Sequence, residues 1–262
     1  MSAAVQPALP EARLLPLGDA ALTVEFGSAI APPIHARVLG FASALEALAA
    51  SGRIDGVLEW VPTFRSVTVH FDPDRIDADA LAAQLQALAR TSSSLTVAGA
   101  HWRIPVCFDP EFAPDLDELA SAKSLPRERV VELMTQTVFS VYMLGFQPGF
   151  SYMGGLPEAL EMPRLASPRK RVPAGSVAVA QRMCAAYPWE SPGGWRLLGC
   201  TPVPLFDVAD AERPALLAPG DQVRWRAVDR AAYEALQARC AAGTFDRASL
   251  RLEAKHGAKV TR

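Results

Sequence analysis

Seventeen of the 39 prolines and glycines in the chain fall within residues 145–204, and that crowding constrains the fold more than any other feature. Proline fixes φ and removes a backbone donor, and glycine frees the backbone for turns, so the segment is cut into short pieces. The pieces between the cuts are extended: Ser176–Ala180, Trp195–Leu198 and Val203–Phe206, followed by Gln222–Val228 after the turn Pro219-Gly220-Asp221. The continuous apolar run Val138–Phe146 adds another strand. Short strands so punctuated predict a closed or nearly closed β-barrel. Short helices are expected at Asp115–Lys123 and Pro126–Gln136, the latter with Ser124 as its cap and Pro126 in its first turn, and a closing helix at Asp229–Ala242.

The front of the chain reads differently. Arg13–Phe26 is extended and broken at Gly18-Asp19, and Pro33–Ala50 is a helix with Ile34, Val38, Phe41, Leu45 and Leu48 on one face. Val57–Val61 and Ser66–Phe71 are strands, and Asp77 caps a helix Ala78–Arg90 that turns Leu81, Leu85 and Leu88 inward. After the polar break Thr91–Ser94, His101–Phe108 resumes as a strand. The order β-α-β-β-α-β predicts a small ferredoxin-like α+β sandwich. The expected division is an α+β domain at residues 1–97, a barrel at 98–245 and a C-terminal tail at 246–262.

Composition narrows the function. Half of the 262 residues are hydrophobic and the net charge is −2, which argues against a general binder of nucleic acid or membrane surfaces. Residues 1–12 carry neither a basic nor an apolar leader segment, and no uncharged apolar run is long enough to span a bilayer, so a cytoplasmic location is expected. Cys107, Cys184, Cys200 and Cys240 have no paired spacing and read as four buried free thiols. The four histidines are His35, His70, His101 and His256, so residues 102–255 offer no histidine for a nucleophile couple or a zinc site. Ser176 has no nearby base. Glu158, Glu161 and Glu190 are the acids left near the motif as a general base. There is no phosphate-binding glycine loop of either common type, and no metal or cofactor is expected on this chain.

What remains is positive charge. Arg164, Arg169, Lys170, Arg171, Arg182 and Arg196 stand between Pro163 and Cys200 against one acid, Glu190. Arginine forks and glycine-rich turns suit a carboxylate or phosphate, although the same cations could be solvated or face an acidic partner. Tyr142, Phe146, Phe150 and Tyr152 read as barrel core or as stacking surfaces, and Trp195 as a packed anchor at a strand start.

The string Gly145-Phe146-Gln147-Pro148-Gly149-Phe150, Tyr152-Met153-Gly154-Gly155-Leu156-Pro157, Val172-Pro173-Ala174-Gly175-Ser176-Val177, Tyr187-Pro188 and Ser191-Pro192-Gly193-Gly194-Trp195 resembles the family of 5-oxoprolinase B subunits (PxpB), also called the KipI or allophanate hydrolase subunit 1 family. The resemblance implies a cyclophilin-like barrel behind a small α+β domain. It implies a complex that opens 5-oxo-L-proline to L-glutamate and uses ATP, with a carboxyltransferase-type sister subunit (PxpC- or KipA-like) and a lactam-opening subunit (PxpA-like). The substrate face would then comprise Pro148, Gly149, Phe150, Arg169, Arg171, Ser176, Tyr187, Gly193, Gly194 and Trp195, with Arg169 and Arg171 on the carboxylate.

The chain departs from the family where polar groups are expected. Met134 stands for a histidine and Val138 for a glutamate, and Ala180-Gln181-Arg182-Met183-Cys184-Ala185-Ala186 replaces a stretch rich in glycine with a Gln-Thr pair. Two other readings therefore stand beside the first: a non-enzymatic interaction module of the histidine-kinase-inhibitor kind, and a divergent amide- or urea-type subunit.

Overall fold

Arg13–Pro16 (β1) and Ala21–Glu25 (β2) form a hairpin, its turn made by Gly18 at φ +64° and closed by Leu17 N–H donating to Ala21 O at 2.9 Å. The computed structural model describes residues 10–92 and 99–252, which separate into two units on either side of that break. In the first, the hairpin leads into Pro32–Ala50 (α1), whose prolines occupy the first turn, where no intrahelical N–H is lost. Val57–Pro62 (β3), Ser66–Phe71 (β4) and Ala78–Thr91 (α2) follow. Asp77 caps α2 by accepting the Ala80 N–H at 2.9 Å. Ile34, Val38, Phe41 and Leu45 of α1 and Leu81 and Leu85 of α2 are buried against the alternate residues Val67, Val69 and Phe71 of β4. Leu48 and Leu88 are only partly covered.

The sheet order is β1-β2-β4-β3, antiparallel throughout. That is a ferredoxin-like arrangement of β2-α1-β3-β4-α2 with its outer place filled from the wrong direction in sequence. β1, from before the motif, sits where a strand after α2 was expected. His101–Phe108 does not join this sheet.

Instead His101–Cys107 (β5) opens the second unit. Leu116–Ala122 (α3) and Arg127–Gln136 (α4) follow, then Phe139–Leu144 (β6), Ser151–Gly154 (β7), Arg169–Val172 (β8), Ser176–Ala180 (β9), Met183–Ala186 (β10), Ser191–Gly193 (β11), Arg196–Cys200 (β12), Gln222–Val228 (β13), Arg230–Ala241 (α5) and Arg251–Leu252 (β14). Seven strands run β12-β9-β10-β7-β6-β13-β5, and β5 returns to β12 through the single registered pair Cys107 and Cys200. The barrel is closed. β13 and β5 are parallel over seven residues, from Gln222 opposite His101 to Val228 opposite Cys107.

Val177, Val179, Cys184, Ala186, Leu198 and Trp225 point inward. The other face of β9 and β10 is buried too, because the short ribbon β8–β11 lies outside the barrel and covers Ala178, Ala180 and Ala185. This explains why β9 is buried at every position rather than at alternate ones.

Four expectations are corrected. Val203–Phe206 is no strand and makes one bridge, Phe206 to Ala215, since Pro202 and Pro204 cannot donate to a ladder. Ser124 lies at φ +53° and caps nothing; α4 starts from Pro126 without a side-chain bond. Cys240 is only half-buried. Within the expected tail, Arg247–Leu250 is a 3-10 turn and β14 pairs with β5. Residues 1–9, Ser93 and Ser94 of the polar break, and 253–262 with His256 lie outside the described residues. No helix among the described residues is long and apolar enough to cross a membrane.

Candidate functional site

The ribbon β8–β11 and the turns around it build one aromatic cluster on the outside of the barrel. Phe150 is its centre: its ring meets Tyr187 edge-on at 5.0 Å, Tyr152 at 4.9 Å, Phe146 at 5.3 Å and Trp195 at 6.2 Å. Such edge-to-face contacts add about 0.5–1.5 kcal/mol each beyond the area they bury. The motif's glycines make the packing possible. A Cβ on Gly193 would lie 2.4 Å from the Tyr187 hydroxyl, and Gly149, at φ +80°, would place one 2.8 Å from Phe206 Cβ. Burial pushes the Tyr187 phenol up to about 12, with Arg164 and Arg169 pulling the other way. The Tyr152 phenol is raised for the same reason, with Arg164 again opposing. Two neutral phenols and the Arg164 guanidinium, 5.7 Å above the Trp195 ring, thus share one neighbourhood.

Of the predicted site residues, Phe150, Tyr187, Gly193 and Trp195 come together here. Gly194 sits beside Pro168, and Leu165 N–H donates to its carbonyl at 2.7 Å. Pro148 forms the rim, its carbonyl accepting the Trp189 indole N–H at 3.2 Å. Ser176 is buried, and its carbonyl accepts the Tyr187 N–H at 2.9 Å.

The two arginines do not behave alike. Arg171 is exposed and forks onto Glu190 at 2.9 and 2.7 Å, which holds the Glu190 carboxyl below the usual range. Its guanidinium is therefore already occupied at the surface. Arg169 Nη2 donates to Asp115 Oδ1 at 2.5 Å, and Asp115 Oδ2 accepts the Leu197 N–H at 2.7 Å. Asp115 is buried, so Arg169 balances a charge within the fold. Its Nη1 is buried with no acceptor, which leaves one donor of the fork unused. Arg196 is likewise engaged, with Glu118 at 2.6 Å. The local excess of cations counted along the sequence is reduced because Asp115 and Glu118 arrive from the start of α3.

Arg164 stood in the predicted cation group and Tyr152 among the possible stacking rings, but nothing local marked Asp115, which lies 54 residues before Arg169. Of the two readings of Phe146, core is excluded, because it is 64% exposed at φ +70°; Trp189, whose ring meets Phe206, is 42% exposed. Met134 is fully buried in the barrel core, and Val138 precedes β6, so neither offers a proton. A separate cleft of about 280 Å³ lies by Trp102, Arg213 and Arg247. Its cations are spoken for: Arg247 by Asp210 at 2.6 Å, and Arg213 by the Trp102 ring at 4.8 Å. No cluster of metal ligands occurs among the described residues.

This fold and motif order can be set against known proteins. Residues 12–217 match the family described as carboxyltransferase domain, subdomain C and D. The chain belongs to that family. It is 35% identical to the 5-oxoprolinase B subunit of Bacillus subtilis across 84% of its own length and 94% of the relative's, and 36% identical to that of Escherichia coli O157:H7 across 83% and 96%. Among solved structures it resembles TTHA0988 at 35% identity and TM-score 0.69, covering 80% of this chain but 40% of that one. Kluyveromyces lactis urea carboxylase shares the fold at 22% identity and TM-score 0.74, over 89% of this chain and 23% of the larger protein.

Proposed function

We propose that this chain is the B subunit of an ATP-using 5-oxoprolinase-type assembly that opens 5-oxo-L-proline to L-glutamate. The observation that carries the reading is the match to subunits of that name over nearly their whole length. The assembly is placed in the cytoplasm, with a PxpC- or KipA-like carboxyltransferase-type sister subunit and a PxpA-like lactam-opening subunit. This chain itself holds no cofactor. Its share of the work is binding rather than proton transfer, since Met134 and Val138 carry no titratable group where the family is expected to have one. The substrate carboxylate would meet Arg164 above the Trp195 ring, with the Tyr152 phenol alongside and the packed rings excluding water.

Co-expression with the two partner subunits and measurement of ATP-dependent glutamate release from 5-oxoproline tests this. Arg164→Ala should raise KM about tenfold, the loss of one charge-assisted contact, with the urea midpoint unchanged. An assembled complex that releases no glutamate overturns the reading. A second reading, a protein-interaction module of the kinase-inhibitor kind, draws on the exposed rings of Phe146 and Trp189, and it predicts partner binding without turnover.

A further inference from the structure

The barrel is closed by one residue pair, and both members are cysteine. Cys107 ends β5, Cys200 ends β12, and the two are Cα partners in the antiparallel contact that joins these strands. Directly opposed antiparallel residues have Cα atoms about 4.5–5.5 Å apart and side chains on the same face. A disulfide needs about 4.4–6.8 Å, so any register that makes these residues partners brings them within range. Both are free thiols and both are buried. They share one small apolar cluster with Tyr233, Phe112 and Val228, on the side of the seam away from the barrel interior. The remaining cysteines differ: Cys184 is sealed inside the barrel and Cys240 lies on α5, outside this cluster.

The cover over the pair is thin. Tyr233 is the only buried residue of α5. Its hydroxyl stands 3.4 Å from Cys200 Sγ and its ring 4.4 Å from that of Phe112. The helix's other attachments lie near the surface: the ion pair of Arg230 with Glu111 at 2.8 Å, and the Arg239 guanidinium over the Phe245 ring at 5.3 Å, and exposed ion pairs add little. Elements held by few buried contacts open locally long before the whole protein unfolds. When α5 lifts, the Tyr233 hydroxyl leaves the Cys200 sulfur, and that side of the pair loses its cover.

We propose that Cys107 and Cys200 are a redox-sensitive dithiol that a peroxide closes into a disulfide across the barrel seam, with α5 as the gate. The chemistry balances with hydrogen peroxide as the oxidant. The Cys200 sulfur, as thiolate, attacks one peroxide oxygen, the O–O bond breaks, and water leaves with the thiol's proton, giving a sulfenic acid. The Cys107 sulfur then attacks the Cys200 sulfur, forming the S–S bond and expelling the sulfenic oxygen as a second water. The two thiols lose two electrons and the peroxide gains them. Burial raises both thiols in the closed state, which keeps them protonated and slow until the helix moves.

The test uses the full-length wild-type chain, so it does not depend on a variant folding. The protein is treated with hydrogen peroxide, free thiols are blocked under denaturing conditions, and intact mass and digested peptides are read. The expected result is a monomer 2 Da lighter, a cross-linked peptide joining Cys107 to Cys200, and full reversal by dithiothreitol. Tyr233→Ala should speed closure at least tenfold. Overturning results would be Cys107 and Cys200 both recovered as free thiols while Cys240 is oxidised, or sulfinic acid at Cys200 with no cross-link. Closure at the same rate in Tyr233→Ala would remove α5 as the gate and refute that part of the proposal.

Discussion

Asp115 and Arg169 show how one residue's role depends on a partner that the sequence does not point to. A carboxylate with almost no exposure accepts one bond from a guanidinium and another from the Leu197 amide, so it ties the start of α3 to the ribbon and to β12 at once. Removing one partner of such a pair leaves the other charge buried, which costs about 3–5 kcal/mol. Asp115→Ala should therefore lower the unfolding free energy of the barrel unit by about 3 kcal/mol, nearer the lower limit because Arg169 keeps a solvent edge. Equilibrium urea unfolding checks this. The result also governs Arg169: its substitution perturbs stability, so Arg164 is the cleaner probe of the anion site. Gly193 makes a complementary test. Alanine there would drive a Cβ into the Tyr187 hydroxyl. The expected outcome is a displaced phenol and weaker substrate binding by the complex, seen as a higher KM with kcat preserved.

At the scale of elements, the sequence was most legible where periodicity was local. α1, α2, β4, β9 and β13 fall where apolar spacing and caps put them, within a residue or two. Legibility failed where the deciding contact was remote. The strand at His101 was rightly seen as a strand, but its sheet is chosen by the seven-residue parallel pairing with β13, more than a hundred positions away. The recognised motif contains Phe150, Tyr152, Tyr187 and Trp195, which the fold gathers into one cluster from positions as far as 45 residues apart. The charge count failed in the same region, because Asp115 and Glu118 belong to another element. The cysteines are a third case. No spacing rule relates residues 107 and 200, and only the closing of the barrel sets them side by side.

For the whole molecule, each unit has its own core, and the two cores share no residue. Glu25 lets them be told apart. It is buried in the first unit between Arg13 and Arg65, which hold its carboxyl below the ordinary value of 4.5. A folded-state pKa lowered below the unfolded one contributes stability above the unfolded value, and that contribution is lost as pH falls through the folded value. The first unit should thus weaken as pH drops below about 4.5. Glu25→Gln should flatten that acid dependence while leaving the transition that Asp115→Ala shifts in place. Thermal unfolding followed at several pH values distinguishes the two.

The barrel unit starts its first strand at His101, and its last described strand ends at Leu252, and these two residues are partners across one ladder. A unit whose entrance and exit stand side by side behaves as a guest: it can be spliced into a host polypeptide at a single surface loop without pulling the host apart.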